Sequence, residues 1–285
     1  MISIVVPAYN EADVIERCLA ALTARPIEGG VEVVVACNGC EDGTADLARR
    51  FGDPVRVVET PTPSKIAALN LGDAAASSFP RVYLDADVVV DLETIEAVAD
   101  VLRTERALAA APKMRVEMGR SSWPVRAFYR VWLAQPYHEG LIGGGFYAVS
   151  AAGRARFGAF PPIIADDEFV RRHFAPTERI NPEGLAFTIH APRRFSDLVK
   201  VKTRSRLGRM ELERKFPELG AGSGEESGAR RFDIRRKPGL WPAACVYLLV
   251  TGLTWLRARK QLGRLGSYRW ERDESSRTRG TEGKQ

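Results

Sequence analysis

In the first third of this chain, short apolar runs rich in β-branched residues alternate with segments whose apolar residues recur at helical spacing. The predicted strands are residues 2–6, 31–35, 55–58 and 82–84, and the predicted helices lie near 12–24, 42–51, 64–78 and 91–103. Alternation at this spacing is typical of right-handed β-α-β units. The pattern therefore predicts an α/β fold with a mostly parallel central sheet covered by helices on both faces.

After about residue 107, strands and helices no longer alternate regularly in the predicted pattern. It predicts a strand near 108–118, a helix near 124–134, a Gly-rich strand over 141–150, a helix starting near Asp166, a strand over 185–190 and a basic helix over 195–215. Residues 220–228 have linker composition, and the last residues are polar. We therefore expect a main domain over residues 1–218, a linker over 219–237, an apolar and basic helix over 238–265, and a mobile polar tail over 266–285.

Charge distinguishes the last third of the chain from the rest. The formal net charge is +6, and the excess of Lys and Arg lies after residue 192. In this part, residues 240–256 form a nearly uncharged run with basic residues on both sides. The run is at the lower length limit for spanning a bilayer. It is open to three interpretations: a helix lying in an anionic membrane leaflet, a buried core helix, or a membrane span.

The leaflet interpretation is favoured, because each Lys or Arg near an anionic surface contributes about 1 kcal/mol of binding. Four unevenly placed cysteines favour a reducing compartment, and no secretory signal precedes the first strand. We expect a cytoplasmic protein that is peripheral to, or anchored in, the inner face of the cell membrane.

Candidate ligand-binding segments follow three of the predicted strands. Parallel α/β sheets bind ligands beyond the carboxyl ends of their strands, and residues 7–11, 37–42 and 85–87 lie at that edge. Asp85 and Asp87, on either side of Ala86, can share a Mg²⁺ or Mn²⁺ ion, and such an ion can hold a diphosphate. The alternative is that this Asp-x-Asp arises by chance or caps a helix.

These motifs, in this order, resemble those of bacterial family 2 glycosyltransferases, over roughly residues 2–210. The resemblance implies a GT-A fold, an inverting reaction and a nucleotide-sugar donor. The family's opening loop, second-strand motif, donor-side segment and metal motif have counterparts here. The resemblance implies that the donor is bound by Pro7, Ala8, Tyr9, Asn10, Glu11, Asn38, Gly39, Asp42, Lys65, Asn70, Asp85, Ala86 and Asp87.

One departure from the family pattern lies at Cys37 and Asn38, where the family commonly has two aspartates. The second of these usually contacts the base. An Asn can donate to and accept from a pyrimidine edge without bringing charge, so a UDP-sugar is favoured while the base stays open.

Cys37 and Cys40 also form a Cys-x-x-Cys. A zinc site would need a second ligand pair, and the sequence has none at similar spacing. A second interpretation is a thioredoxin-like pair of redox-active thiols at a helix N-terminus. Small residues filling a tight turn beside the nucleotide are the favoured interpretation.

Three consecutive acids, Asp166, Asp167 and Glu168, end an apolar run and begin a helical pattern. They could simply favour the N-terminus of that helix. The resemblance implies instead that Asp167 deprotonates the acceptor hydroxyl, with Asp166 as the reserve candidate. Clustered acids should raise the pKa of at least one of them, which suits a general base.

A glycine-rich segment offers a further candidate site. Gly144, Gly145 and Phe146 either permit close approach of a ligand on the acceptor side of the pocket or belong to a crowded strand with a bulge.

Three basic candidates follow. His190 either completes the metal shell or is structural. Arg204 and Arg206 either neutralise the departing diphosphate or form a solvated or phospholipid-contacting face, and the family's Gln-x-x-Arg-Trp is absent.

The sequence therefore predicts a metal-dependent, inverting glycosyltransferase with a lipid-linked or polysaccharide acceptor, acting in cell-envelope or exopolysaccharide synthesis. A sugar-phosphate nucleotidyltransferase is the alternative, although a Gly-rich phosphate loop would be expected after the first strand in place of residues 7–11. A basic module that binds nucleic acid or membrane is a weaker alternative. Aromatic residues are sparse among the C-terminal Lys and Arg, so a nucleic-acid partner is not expected.

Overall fold

A seven-stranded sheet forms the centre of the first of two compact units. The structure, a computed structural model, describes residues 1–135, 142–221 and 238–265. The first unit comprises residues 1–115 and 140–189, and the second comprises 116–139 and 190–285.

The secondary structure follows the predicted alternation in the first third of the chain. The strands are β1 (Ile2–Ala8), β2 (Val31–Asn38), β3 (Val55–Thr60), β4 (Arg81–Leu84), β5 (Ala109–Ala110), β6 (Lys113–Glu117), β7 (Phe146–Val149), β8 (Arg179–Ile180) and β9 (Ala186–His190). The α-helices are α1 (Ile15–Leu22), α2 (Thr44–Arg49), α3 (Lys65–Ala75), α4 (Leu92–Arg103), α5 (Trp123–Leu133), α6 (Ala151–Arg154), α7 (Asp166–Arg171), α8 (Phe195–Lys215), α9 (Glu218–Ala221) and α10 (Trp241–Leu262). Every predicted strand and helix before residue 104 is present.

The sheet has the order β3-β2-β1-β4-β7-β5-β8, and β6 pairs with β9 in a separate two-stranded sheet. β1 runs parallel to both β2 and β4, whereas β7 runs antiparallel to β4 and β5. The predicted mostly parallel sheet is confirmed. The direction in which successive strands are added reverses between β1 and β4, and such a switch point is where open α/β sheets bind ligands.

Apolar burial and one polar cluster hold this unit together. Every residue of β1 is buried, as expected of a parallel strand covered on both faces. Beside it, Asp73 of α3 accepts hydrogen bonds from Arg81 (2.6 Å), Tyr83 (2.5 Å) and Arg154 (2.7 Å). Burial opposes ionisation of Asp73, but these three donors lower its pKa below the ordinary value. The cluster thus joins α3, β4 and α6.

Two predicted strands differ from the structure. The strand expected over 108–118 is divided into β5 and β6 because Pro112 lies between them and has no N–H to donate to a ladder. The Gly-rich strand expected over 141–150 begins only at Phe146, since Gly143, Gly144 and Gly145 all have positive φ. Residue 141 lies outside the described residues.

Within the described residues, the second unit consists mainly of helices. Val125 and Phe128 of α5, Leu198 of α8 and Val250 of α10 share one apolar core. The predicted boundaries differ from this division, because α5 and α8 were expected in the main domain and α10 in a separate segment. Most of the predicted linker, 219–237, and all of the predicted tail, 266–285, lie outside the described residues.

Helix α10 buries one narrow face and exposes the rest. Ala243, Val250, Thr254 and Ala258 are buried. On the exposed side, Leu248 is 67% exposed and Leu256 is 61% exposed. In the described part of the chain, the segment Pro238–Leu262 alone is long and apolar enough to cross a membrane. One face of α10 therefore packs in a core, as a core helix would, while its other face stays exposed.

Candidate active site

The loops that follow β1 and β2 are joined by direct hydrogen bonds. The Asn10 side-chain oxygen accepts from the Glu41 N–H (2.8 Å), and the Glu11 N–H donates to Thr44 Oγ1 (2.8 Å). Asn10 has a φ of 52°, a left-handed conformation that Asn tolerates better than most residues. Two of the three predicted ligand-binding segments are thus neighbours.

Asp42 is used to hold these loops in place. Its carboxylate accepts from the Ala12 N–H (3.1 Å), the Thr44 N–H (3.0 Å) and the Thr44 hydroxyl. Partial burial would raise the pKa of Asp42, but these hydrogen bonds lower it below the ordinary value. Asp42 therefore stays ionised and ties the loop after β1 to the start of α2.

Two predicted donor-binding asparagines also use their amides within the protein. The Asn38 amide, oriented to satisfy both atoms, donates to the Ala8 carbonyl (2.9 Å) and accepts from the Ser64 N–H (3.0 Å). The Asn70 amide donates to the Phe160 carbonyl (3.0 Å) and accepts from the Phe160 N–H (2.8 Å). Both side chains thereby fix loops around the site.

Lys65 links acids from two different elements. Its ammonium lies 2.9 Å from Asp85 Oδ1 at the end of β4 and 3.2 Å from Asp166 Oδ1 at the start of α7. Burial alone would lower the pKa of Lys65, but Asp166 and Asp85 raise it above the ordinary value. Lys65 is therefore a fixed positive charge between the predicted metal motif and the predicted acid pair. Sequence reasoning assigned Lys65 to the donor but did not predict this link.

Asp166 and Asp167 lie in different environments although they are adjacent. Asp166 is 3% exposed, and burial raises its pKa to about 6, with Lys65 opposing the shift. The Tyr147 hydroxyl lies 3.5 Å from Asp166 Oδ2, a contact that sequence reasoning missed. The pKa of Asp166 is thus raised chiefly by burial, with smaller contributions from the neighbouring acids Asp167 and Asp85.

Asp167 is only partly buried and is held by backbone N–H groups. The Gly144 N–H donates to Asp167 Oδ2 (2.9 Å), and the Glu168 N–H donates to Oδ1 (2.8 Å). Gly143 has a φ of 121°, and a Cβ built there would lie 2.8 Å from Asp167 Oδ2. The glycine segment therefore allows close approach of the backbone to Asp167, and a side chain at Gly143 would displace the carboxylate.

Of the other candidates in the first unit, some lie at the end of β4 and one lies in the core. Ala86 is buried, Asp87 is partly exposed, and Gly145 O accepts from the Asp85 N–H (2.8 Å). Phe146 is fully buried and stacks on Phe187, so the structure places it in the core.

The predicted basic candidates belong to the second unit. His190 ends β9 and is exposed, and Arg204 and Arg206 lie on α8. Their assignment to metal and diphosphate stays a prediction.

The donor set fits a hard divalent cation only in part. Within residues 1–135, 142–221 and 238–265, no group of three or more His, Cys, Asp or Glu side chains is arranged to hold a metal ion. Asp85 and Asp87 offer carboxylate oxygens, the ligand type that Mg²⁺ and Mn²⁺ prefer, and Mg²⁺ usually takes its other ligands from water and substrate phosphates. The residues therefore suit an ion that arrives with a diphosphate better than a permanently caged one.

Relatives of known sequence match limited parts of this chain. It is 35% identical over 91 residues to glycosyltransferase AglE of Haloferax volcanii, covering 30% of each chain. It is 29% identical over 103 residues to validoxylamine A glucosyltransferase of Streptomyces hygroscopicus, covering 34% of this chain and 24% of that one. The chain thus spans less than a third of the length of either relative.

Solved structures with the same fold match a larger share of this chain than the sequence relatives do. The mannosyltransferase PcManGT from Pyrobaculum calidifontis, in complex with GDP-Man and Mn²⁺, has a TM-score of 0.61 at 21% identity, covering 94% of this chain and 76% of that one. Glucosyl-3-phosphoglycerate synthase from Mycobacterium tuberculosis, in complex with Mn²⁺, UDP and phosphoglyceric acid, has a TM-score of 0.53 at 23% identity, covering 75% and 78%.

The family model for glycosyl transferase family 2 matches residues 3–158. This range is more than half of the chain, and it includes the opening loop, Lys65, the Asp85–Asp87 motif and the glycine segment. It ends before Asp166 and Asp167, whose assignment depends on their geometry. On this match, the chain belongs to glycosyl transferase family 2.

Proposed function

We propose that this protein transfers a sugar from a nucleoside diphosphate donor to a hydroxyl acceptor, with inversion at the anomeric carbon. The observation that carries the proposal is the acid cluster, in which Lys65 links Asp85 at the donor edge of the sheet to Asp166 beside Asp167. Family membership favours glycosyl transfer over the nucleotidyltransferase alternative. The complexes of similar folds with GDP-Man, or with UDP, and Mn²⁺ support a nucleotide-sugar donor.

Asp167 is the proposed general base. A base must be reachable by the acceptor hydroxyl and must be ionised when the hydroxyl arrives. Asp167 is partly exposed, and two backbone N–H groups fix the direction of its carboxylate. Asp166 is less suited, because it is buried and paired with Lys65.

Asp87 and Asp85 would hold a Mg²⁺ or Mn²⁺ ion with the donor diphosphate. Such an ion, when bound, supplies charge stabilisation for the leaving nucleoside diphosphate. Lys65 keeps the Asp85 carboxylate oriented at the strand end, and the loops after β1 and β2 form a rigid platform for the nucleotide.

Substitution of the base tests this proposal. Asp167→Asn should lower the rate of transfer by about 10²- to 10⁴-fold, the usual contribution of a positioned base, while binding of the donor with Mn²⁺ stays close to that of the wild type. The assay is release of nucleoside diphosphate from UDP-glucose or GDP-mannose in the presence of a membrane lipid extract. Asp46→Asn, which changes an exposed acid of the same unit, is the matched control. Wild-type turnover by Asp167→Asn would exclude this residue as the base.

We further propose that α10 attaches the protein to an anionic membrane surface and thereby to a lipid-linked or polysaccharide acceptor. The exposed face of α10 presents Leu248, Leu249 and Leu256, and basic residues follow at 257, 259 and 260. An apolar face bordered by cations is typical of helices that lie in the plane of a membrane interface. A helix that buries its other face against α5 and α8 is suited to lie on a bilayer, not to cross it.

A further inference from the structure

A single ammonium bridges two carboxylates at the edge of the sheet. Lys65 is the first residue of α3, and Ser64 caps this helix by accepting a hydrogen bond from the Ala67 N–H (3.3 Å), so the Lys65 side chain starts from a fixed point. Its Nζ lies 2.9 Å from Asp85 Oδ1 and 3.2 Å from Asp166 Oδ1. One cation of the protein therefore joins acids from the end of β4 and the start of α7.

The bridge is enclosed by protein on the side of Asp166 and open on the side of Asp85. The Asp166 side chain is 5% exposed, whereas that of Lys65 is 23% exposed and that of Asp85 is 35% exposed. Gly145 brings its backbone against Asp85, since a Cβ built there would lie 3.4 Å from Asp85 Oδ2. A solute can thus reach Asp85, but one oxygen of this carboxylate already contacts Lys65.

Lys65 reduces the negative charge that a dissolved cation meets at this edge. Burial opposes the charge of Lys65, but Asp166, Asp85 and Asp167 together raise its pKa above the ordinary value, so the side chain stays protonated. A positive ion that approaches Asp85 is repelled by this ammonium. An ion that used both Asp85 and Asp166 would first have to displace it.

We propose that Lys65 is a resident cation that keeps Mg²⁺ or Mn²⁺ from binding at Asp85 until the donor diphosphate is present. This inference rests on the proposed function. The diphosphate is itself anionic, so it neutralises the ion and attracts the Lys65 ammonium, and the repulsion between the two cations no longer opposes binding. Lys65 is thus a positioning residue, which acts on the metal ion through Asp85.

Such a residue makes the metal ion and the nucleotide depend on each other. Binding linkage is reciprocal, so the factor by which the nucleotide increases the affinity for the ion equals the factor by which the ion increases the affinity for the nucleotide. Without Lys65, the ion should bind well by itself, and this factor should become smaller.

Titration of the full-length protein with Mn²⁺ in the absence of nucleotide tests the role of Lys65. Lys65→Met keeps a long side chain and removes its charge. We expect this variant to bind Mn²⁺ about 30-fold more tightly than the wild type, the effect in water-like surroundings of a unit charge about 4 Å from a divalent ion. Electron paramagnetic resonance of free Mn²⁺ measures the affinity. Equal or weaker binding by Lys65→Met would overturn the proposal.

Two control variants separate the charge of Lys65 from other effects. Lys65→Arg keeps the charge and should bind Mn²⁺ as weakly as the wild type. Arg103→Met removes a positive charge of the same unit at the exposed last residue of α4, where Arg103 pairs with Asp100, and should leave the affinity unchanged. A gain in either control as large as that in Lys65→Met would contradict the proposal.

Thermal unfolding gives a second readout. Loss of Lys65 leaves the buried Asp166 without its cation, so Lys65→Met should be less stable than the wild type. Mn²⁺ alone should then raise the Tm of Lys65→Met and leave that of the wild type unchanged. Lys65→Met combined with Asp166→Asn restores the net charge of the cluster and should bind Mn²⁺ nearly as weakly as the wild type. Binding by this double variant as tight as that of Lys65→Met would refute the part assigned to Asp166.

The same titration with UDP or GDP present separates this inference from the proposed function. The advantage of Lys65→Met over the wild type should disappear, because the diphosphate neutralises the ion. An advantage that persists while nucleotide and Mn²⁺ bind together would overturn the link between Lys65 and the donor. If the wild type binds neither nucleotide with Mn²⁺, the proposed donor is wrong, and the titration with Mn²⁺ alone still decides whether Lys65 excludes the ion.

Discussion

At the scale of single residues, adjacency in sequence does not give Asp166 and Asp167 the same chemistry. The side chain of Asp166 is buried against Lys65 and Tyr147, so its charge is balanced inside the protein. Asp167 is partly exposed and is aligned by backbone N–H groups. These contacts support the proposal that Asp167, and not Asp166, receives the proton of the acceptor hydroxyl.

The glycine next to the proposed base gives a sharp test of positioning. In Gly143→Ala, the new Cβ would lie 2.8 Å from Asp167 Oδ2 and must displace the carboxylate. A misplacement of about 1 Å in a catalytic group can cost about 10²-fold in rate, so we expect a loss of that size in kcat with little change in donor binding.

Gly184→Ala is the matched control for this variant. Gly184 also has a positive φ, of 78°, but nothing lies within 4 Å of its Cβ position. It should lose stability from backbone strain and keep its kcat. Equal losses of kcat in the two variants would mean that backbone strain, and not displacement of Asp167, causes the effect.

Residue types and strand ends predict which segments lie at the same edge of the sheet, but not what each side chain contacts. Asn70 was assigned to the donor, and its amide instead bonds to the backbone of Phe160, a partner distant in sequence. Lys65 was predicted to be near the donor, and its contacts with Asp85 and Asp166 depend on three elements meeting. Such contacts arise from tertiary packing and leave no local pattern in the sequence.

At the scale of elements, α10 shows why an apolar run is ambiguous in sequence. Its apolar residues surround the helix, so the pattern alone did not show which face is covered. The structure separates a buried face containing Val250 and Thr254 from an exposed face containing Leu248 and Leu249. The partners that cover the buried face, α5 and α8, are far away in the chain.

Charge reduction on α10 tests the membrane proposal. Arg257→Gln combined with Lys260→Gln should weaken binding to vesicles containing phosphatidylserine roughly 30-fold, since each basic residue contributes about 1 kcal/mol at such a surface. Cosedimentation with vesicles measures the effect. Arg50→Gln combined with Arg106→Gln removes the same charge from exposed positions of the first unit and should leave binding unchanged.

Two further outcomes decide between the interpretations of α10. Helices that lie on an anionic surface bind less strongly at high salt, so salt should release the protein, and alkaline carbonate should extract it. Resistance to both treatments would indicate a membrane span. Equal binding to neutral and anionic vesicles would contradict the role of the basic residues.

At the scale of the whole molecule, the family match and the proposed chemistry are concentrated in the first unit. The matched residues 3–158 contain the parallel sheet and most of the predicted donor site, whereas α8 and α10 lie outside the match. The alternation of strands and helices was readable from sequence because each unit of that pattern is local. The helices of the second unit were also predicted, but their packing together was not, because this core joins α5 to helices distant in the chain.

Ligand-induced stabilisation tests whether the acid cluster and the loops bind one donor together. A ligand that binds only the folded protein stabilises it by about 2.7 kcal/mol at a concentration of about 100 times its Kd. For a chain of this size, UDP or GDP with Mn²⁺ should raise Tm by several degrees. EDTA should abolish the increase if the diphosphate is held through a metal ion, and Asp87→Asn should remove most of it.

The pair of Asp87→Asn and Asp46→Asn separates a metal-linked donor site from general effects of charge. Both variants replace one acid of the first unit by its neutral isostere, but Asp46 is exposed on α2 and far from the acid cluster in sequence. We expect Asp46→Asn to keep the full Mn²⁺-dependent increase in Tm. If nucleotide stabilised the Asp87→Asn variant as strongly as the wild type, or if EDTA had no effect on the wild type, Asp87 would not hold the metal, and the donor would have to be bound by the loops alone.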